Sequence, residues 1–210
     1  MKYRVVAVAL LLGGLGVARA EAAPPALDVT FPISIAVALD NGMPARDDAW
    51  IAAQIDEATT FYAPFGVHFR WTLRREIPSA HAEMHTRADR DALAPLVEKN
   101  VIDVFVVAAL EDVDEPGRYR KGVAWTSRAP APPARFIILS AVAPPKVLAH
   151  ELGHFFGNGH TDVPDNLMSY TRTGAPVFFD DAQIERTRSF AERFLATGRL
   201  RDLGPPRVLP

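Results

Sequence analysis

The sequence predicts a single α/β (α+β) domain, and three observations support that prediction. Apolar stretches with the two-residue period of strands alternate along the chain with stretches that have the 3.6-residue period of helices. The 210 residues suffice for one domain with a substantial core. The chain contains no cysteine, so its stability must come from packing of such a core, without disulfides.

Residues 1–20 are predicted to be a cleavable signal peptide. Lys2 and Arg4 precede an apolar run at residues 5–17, and the small residues Ala18 and Ala20 provide a cleavage site. The run is too short to span a bilayer, so we expect no integral membrane segment after cleavage. An uncleaved anchor is the alternative. The protein is therefore expected to be secreted or periplasmic.

The charge balance argues against two classes of partner. Loss of the three basic residues of the signal peptide, Lys2, Arg4 and Arg19, would change the net charge from −2 to −5. Such a chain is not expected to bind nucleic acid or an anionic membrane. We expect a monomer.

Strands and helices alternate through the first half of the chain. Residues 31–39 have the alternation of a strand, and residues 47–63 have helical spacing that ends at Pro64 and Gly66. Residues 67–73 predict a second strand with a polar face, on which His68 would be solvated. A helix at residues 88–99 is expected to lead into a buried central strand at residues 101–107.

The second half contains short strands and two helices. Residues 122–127 predict a short strand, residues 129–134 a proline-rich turn, and residues 136–139 a buried strand. A helix opens after residues 140–145, and a last helix begins at Asp180 or Asp181 and ends at Gly198. The folded domain is predicted to span residues 28–198, and residues 199–210 are predicted to be a flexible tail.

A motif between these two helices predicts a metal site. His150 and His154 are four residues apart, which places them on one face of a helix, about 6 Å apart at Cβ. Glu151 lies roughly 100° round the helix, where it suits a general base better than a third ligand. Gly157 permits a turn that brings His160 back as the third ligand. The alternative is a pair of core histidines on a buried helix.

Three protein ligands leave a tetrahedral zinc ion one open position for water, and this arrangement is typical of catalytic zinc. The pattern His-Glu-x-x-His-x-x-Gly-x-x-His, followed by Met168, resembles the metzincin clan of zinc peptidases. The resemblance implies a mixed twisted sheet, an antiparallel edge strand at residues 122–127, an active-site helix and a C-terminal helix. It also implies a methionine turn at residues 166–170, with Met168 as a hydrophobic floor beneath zinc.

The subfamily is open between two candidates. The eight residues from His160 to Met168 resemble the spacing of matrixins, whereas Thr161 and the Asn-x-Met-x-Tyr form are more similar to pappalysins. The resemblance implies an endopeptidase acting on proteins or peptides, with Glu151 as general base. It also suggests Tyr170 as a donor to the transition state, with a packing tyrosine as the alternative. In the family, the loop at residues 171–179 walls the main specificity pocket, and Arg172 lies within it.

Two further segments suggest accessory metals. The acidic residues 111–117 are a candidate calcium loop or a plain solvated loop. His81 and His85 have metal-ligand spacing or mark the end of a surface helix. Two rival functions also remain: a catalytically silent zinc-binding protein that acts as a binding partner, and an enzyme dedicated to a non-protein amide or one partner.

Overall fold

The computed structural model describes residues 27–128 and 133–205. The predicted signal peptide and residues 206–210 lie outside the described residues, as does most of the predicted proline-rich turn. Within the described part, no helix is both long enough and apolar enough to cross a bilayer.

A twisted mixed sheet forms the centre of the domain. Its strands are β1 (Val29–Asp40), β2 (Met43–Pro44), β3 (Val67–Ile77), β5 (Ile102–Val107), β7 (Gly122–Thr126) and β8 (Arg135–Ser140), while β4 (Glu83–Met84) and β6 (Ala109–Leu110) pair separately. The order is β3-β1-β5-β8-β7, and β2 pairs with the end of β1. Only β2 and β7 run antiparallel to their neighbours in this sheet. The predicted antiparallel edge strand is therefore β7.

Helices pack on the sheet and complete two apolar layers. They are α1 (Asp48–Tyr62), α2 (Arg87–Asp91), α3 (Lys146–Phe155) and α4 (Asp181–Ala196). The larger core lies between one sheet face and the helices α1, α3 and α4, and it includes Tyr62, Phe155 and Phe194. A second cluster on the other face contains Phe105, Phe136 and Met84. Burial on both faces explains why β5 is apolar almost throughout.

Two predictions about boundaries are corrected. The helix expected at residues 88–99 ends at Asp91, and a short 3-10 turn (Ala94–Leu96) follows because Pro95 disfavours a continuous α-helix. The expected flexible tail instead packs on the domain through residue 205. Leu200 is 2% exposed, and the backbone N–H of Leu203 donates to the Thr30 carbonyl at 2.9 Å. Residues 199–205 thus extend the folded domain beyond the predicted limit at 198.

Candidate metal centre and active site

Helix α3 and the chain that follows it bring three histidines together. His150 and His154 lie one turn apart on α3, and His160 follows the end of the helix. One nitrogen from each ring lies within 4.8 Å of the others, which fits a single metal ion. The Nε2 atoms of His154 and His160 are 2.9 Å apart. Among the described residues, no other group of three histidine or acidic side chains has this spacing.

Backbone carbonyls orient the two helical histidines. The Nδ1 of His150 lies 2.8 Å from the Leu167 carbonyl oxygen, and the Nδ1 of His154 lies 2.8 Å from the Asn158 carbonyl oxygen. A carbonyl oxygen only accepts, so each Nδ1 carries the proton and donates it. The unprotonated Nε2 of each neutral ring is then free to bind a metal, as in metal sites whose ligands are held by outer hydrogen bonds.

The environment favours the neutral form of all three rings. Desolvation, followed by the charge of His150, lowers the pKa of His154 to about 4. Desolvation is also the largest cause that lowers the pKa values of His150 and His160. Neutral imidazole is the form that binds zinc, so three such rings aimed at one point fit a zinc ion well.

Gly157 makes the turn that brings His160 to the site. Its φ is +86°, a left-handed conformation that favours glycine, and its N–H donates to the His154 carbonyl at 2.9 Å. A Cβ at this position would also lie 2.6 Å from the Phe190 ring. Both the backbone conformation and the packing therefore require glycine, and the turn is the one predicted from the sequence.

The methionine turn lies directly beneath α3. Met168 is fully buried, and a Cβ built on Gly153 would lie 2.4 Å from its Sδ atom. Gly153 thus allows the turn to approach the helix between His150 and His154. The Nδ1 of His150 also bonds to the carbonyl of Leu167, so the same turn orients one ligand.

Gly153→Ala is expected to destabilise the protein. Alanine is the better helix former by about 1 kcal/mol, but overlap with the buried Met168 costs about 1–3 kcal/mol and displaces the turn. Thermal unfolding compared with Gly159→Ala, where a Cβ meets nothing within 4 Å, measures the effect. A melting temperature of Gly153→Ala at or above that of the wild type would contradict the proposed packing.

Helix α4 contacts two segments of the site through buried side-chain amides. One is the methionine turn, and the other is Asn158, the hydrogen-bond partner of His154. The Nδ2 of Asn166 donates to Gln183 Oε1 at 2.8 Å, and Gln183 Nε2 donates back at 3.1 Å. The Nδ2 of Asn158 donates to Thr187 Oγ1 at 2.9 Å, while its carbonyl accepts from His154. The sequence predicted neither the contacts of Asn158 and Gln183 nor the buried amide contact of Asn166. Gln183 lies four residues before Thr187, and that polar pair on an apolar face was the available sign.

Glu151 lies beside the histidines beneath the start of β7. It is 5% exposed, and burial raises the pKa of its carboxyl to about 8, against the opposing effects of the Ala124 backbone N–H and Arg120. A Cβ on Gly122 would come within 3.0 Å of Glu151 Oε1. A bound dication would favour the ionised form of this carboxyl. Glu151 is therefore a buried carboxyl with a raised pKa beside the three histidines.

Tyr170 approaches the same point from the methionine turn. Its hydroxyl lies 2.9 Å from His160 Nε2, and the residue is 70% exposed. Its ring also packs against that of His160, with the two ring centroids 4.7 Å apart. The structure thus brings all five predicted site residues together: His150, His154, His160, Glu151 and Tyr170.

The other candidate metal sites gain no such support. His85 lies 2.8 Å from Glu111 and 3.2 Å from Glu83, but His81 does not join them in a metal-binding cluster. In the acidic loop, Asp112 pairs with Arg120, Asp114 with Arg87 and Glu115 with Arg118. Arginines thus engage these carboxylates, and the structure gives calcium no support. His68 is partly buried and lies 3.2 Å from Asp28, rather than being freely solvated.

The fold is similar to those of solved metalloproteases. Mature mirolysin from Tannerella forsythia is 15% identical, with a TM-score of 0.57 over 79% of this chain and 92% of that one. Metalloproteinase-II from Bacteroides fragilis is 13% identical, with a TM-score of 0.56 over 79% and 54%. Archaemetzincin from Methanopyrus kandleri is 17% identical, with a TM-score of 0.52 over 78% and 97%.

Sequence comparison adds nothing to this likeness, because no protein-family profile and no curated protein matches the chain. At these identities, the structural likeness establishes the fold. The chain has the fold of the metzincin-type zinc metalloproteases, as its long histidine motif predicted.

Proposed function

We propose that the protein is an exported, secreted or periplasmic zinc-dependent endopeptidase that acts as a monomer on protein or peptide substrates. One observation carries the proposal: three neutral histidines point at a common site beside the buried carboxyl of Glu151. A binding protein has no need of a buried carboxylate at that position, whereas hydrolysis needs a base there.

Zinc held by His150, His154 and His160 would polarise the substrate carbonyl and lower the pKa of a water to about 7. Glu151 takes the proton of the attacking water and delivers it to the leaving amine. The leaving group then departs as a neutral amine. Burial of Glu151 keeps this proton transfer away from bulk solvent and strengthens its electrostatic interactions.

Strand β7 provides a place for an extended substrate. It is at the edge of the sheet and pairs with β8 alone among the described residues, so its outer backbone groups are available to a peptide. A cleft of about 530 Å³ runs along this strand and reaches Glu151 and the three histidines. A mirolysin structure contains a cleaved peptide, which supports a peptide substrate for this fold.

Tyr170→Phe tests whether the tyrosine stabilises the transition state. Its hydroxyl lies next to a ligand nitrogen, so it is placed to donate to the developing oxyanion. We expect kcat to fall by about 100-fold, the loss typical of one oxyanion donor, with little change in KM. Steady-state kinetics with zinc content measured on the same sample provide the check. An unchanged kcat would assign Tyr170 no catalytic role.

Cleavage of a fluorogenic peptide library by the purified protein tests the proposed activity, with a chelator and Glu151→Ala as controls. We expect cleavage that both controls abolish. Stoichiometric zinc without cleavage of any peptide or protein would refute the endopeptidase and favour the catalytically silent binding partner. Cleavage confined to one protein or to a non-peptide amide would favour the dedicated enzyme.

A further inference from the structure

A second cavity, of about 500 Å³, lies next to Glu151, at the Gly122 end of β7 and away from Trp125. The first residues of β7 and α3 and the methionine turn line it, together with His150, Glu151 and Tyr170. Glu151 is the one acidic residue in the lining of this cavity. Five lining residues are basic: Arg118, Arg120, Lys121, Lys146 and Arg172. The cavity next to Glu151 therefore has a strong excess of basic side chains.

Three of these cations already have acidic partners. Arg118 pairs with Glu115, Arg120 with Asp112, and Lys146 lies 3.8 Å from Glu57. Lys121 and Arg172, by contrast, have no carboxylate within 4.0 Å in the described part of the chain. Asp165 interacts electrostatically with Arg172 but forms no ion pair with it, so both side chains keep donors for an anion from outside the protein.

Arg172 is held in place while most of its donors stay available. Its Nη1 donates to the carbonyls of Asn166 and Thr171 at 3.0 and 3.1 Å. A guanidinium has five N–H donors, so Nε and Nη2 can still form the paired bonds that suit a carboxylate. The side chain is thus anchored through one nitrogen only.

The loop around Arg172 is tied to Asp165 on both sides, through its backbone N–H before Arg172 and through its carboxylate after it. Asp165 is 4% exposed; its N–H donates to the Thr171 carbonyl at 3.0 Å. Its Oδ1 accepts from the Thr173 N–H at 2.9 Å, and its Oδ2 accepts from the Thr173 hydroxyl. Arg172 is therefore presented by a preorganised segment, which reduces the entropy lost when it binds a ligand.

The direction of β7 indicates which substrate residue enters the basic cavity. Antiparallel pairing is the more common and slightly more stable arrangement, so we take a peptide to run antiparallel to β7. Its N-terminal part then lies near Trp125 and Thr126, and its C-terminal part lies near Gly122 and Lys121. With the scissile bond beside Glu151, the first residue after that bond lies at the Gly122 end of β7, next to the cavity that contains Arg172. Val147 supplies an apolar wall for the methylene groups of that side chain.

We propose that the protein cleaves peptides before an acidic residue, and that Arg172, assisted by Lys121, binds the carboxylate of the glutamate or aspartate that follows the scissile bond. This inference rests on the proposed peptidase function and names its substrate class. It also makes Arg172 a specificity residue, because it contacts the substrate without taking part in proton transfer.

A cleavage library tests the proposal. The peptides are amidated at the C-terminus and vary at the position after the scissile bond among Glu, Asp, Gln, Leu and Arg. We expect kcat/KM for Glu to exceed that for Gln by about tenfold or more, as for a charge-assisted bidentate contact. Arg172→Gln should remove that preference, Arg172→Lys should keep part of it, and exposed Arg201→Gln should leave it unchanged.

The possible outcomes distinguish failure of this inference from failure of the proposed peptidase function. Cleavage with no preference for Glu over Gln, or with a preference that survives in Arg172→Gln, overturns the acidic-residue proposal and leaves the peptidase intact. A matched set of peptides ends at the first residue after the scissile bond with a free C-terminal carboxylate. These peptides test whether the protein binds that terminal carboxylate instead of the side-chain carboxylate. A preference for that free carboxylate alone, with none for the Glu side chain, also overturns the proposal.

A binding measurement makes the test independent of turnover. Fluorescence anisotropy with the Glu151→Gln protein compares two labelled peptides that differ only in Glu or Gln at the tested position. We expect about tenfold tighter binding of the Glu peptide, a smaller difference at high salt, and none in Glu151→Gln/Arg172→Gln. Equal binding of the two peptides overturns the proposal whatever the library shows. Absence of cleavage throughout the library refutes the peptidase function instead.

Discussion

Glu151→Gln is expected to lower kcat for peptide hydrolysis by at least about 100-fold, within the range of general acid–base catalysis. Glutamine has nearly the same size and fits the buried position beneath β7, but it cannot accept the proton of the attacking water. Because Glu151 lies beside the ligands and is not one of them, zinc content should not change. Steady-state kinetics and metal analysis of one sample measure both quantities.

The matched control is Glu185→Gln, which removes an exposed carboxylate on α4 that does not line the cleft. It should retain full activity and full zinc. Activity of Glu151→Gln close to that of this control would remove Glu151 from the mechanism. Loss of zinc from Glu151→Gln would instead show that the carboxylate helps to hold the metal.

His150→Ala, His154→Ala and His160→Ala are each expected to weaken zinc binding by more than the roughly 10–100-fold that follows loss of an outer hydrogen-bonding partner. Each substitution removes one of three nitrogens that lie within 4.8 Å of one another. The chain has no cysteine to replace the lost ligand. Competition with a chromogenic chelator measures the affinity, and hydrolysis should fall with zinc occupancy.

His81→Ala and His85→Ala are the matched controls for the three ligand variants. They remove histidines with the same four-residue spacing, but these two do not belong to a metal-binding cluster in the described residues. Both should bind zinc as the wild type does. A ligand variant with wild-type affinity would exclude its histidine from the site. Weakened binding in a control would show that the accessory pair contributes to zinc binding.

The local geometry of the site was predictable because it depends on residues close together in the chain. A four-residue spacing on a helix determines how His150 and His154 face, and the left-handed φ of Gly157 brings back His160. The edge strand β7 was also predictable, from the position of residues 122–127 in the resemblance. These features require no knowledge of which distant segments meet.

Contacts between distant segments account for what the sequence did not predict. The amide pair of Asn166 and Gln183 joins the methionine turn to α4, and either residue alone has the appearance of an ordinary surface amide. The lack of periodicity in residues 199–210 predicts a flexible tail, yet Leu200 is buried and the N–H of Leu203 donates to Thr30 of β1. Conversely, the composition of residues 88–99 predicts a helix, but α2 ends at Asp91 and a 3-10 turn that contains Pro95 follows.

Titration of zinc into the metal-free protein, with peptide hydrolysis followed at each addition, tests the central claim most directly. One ion held by His150, His154 and His160 predicts a linear rise in rate that stops at one equivalent of zinc. The same titration of Glu151→Gln should bind one equivalent without a rise in rate. Hydrolysis that is independent of added zinc, or a zinc-loaded wild type that cleaves nothing, would contradict the proposed zinc peptidase.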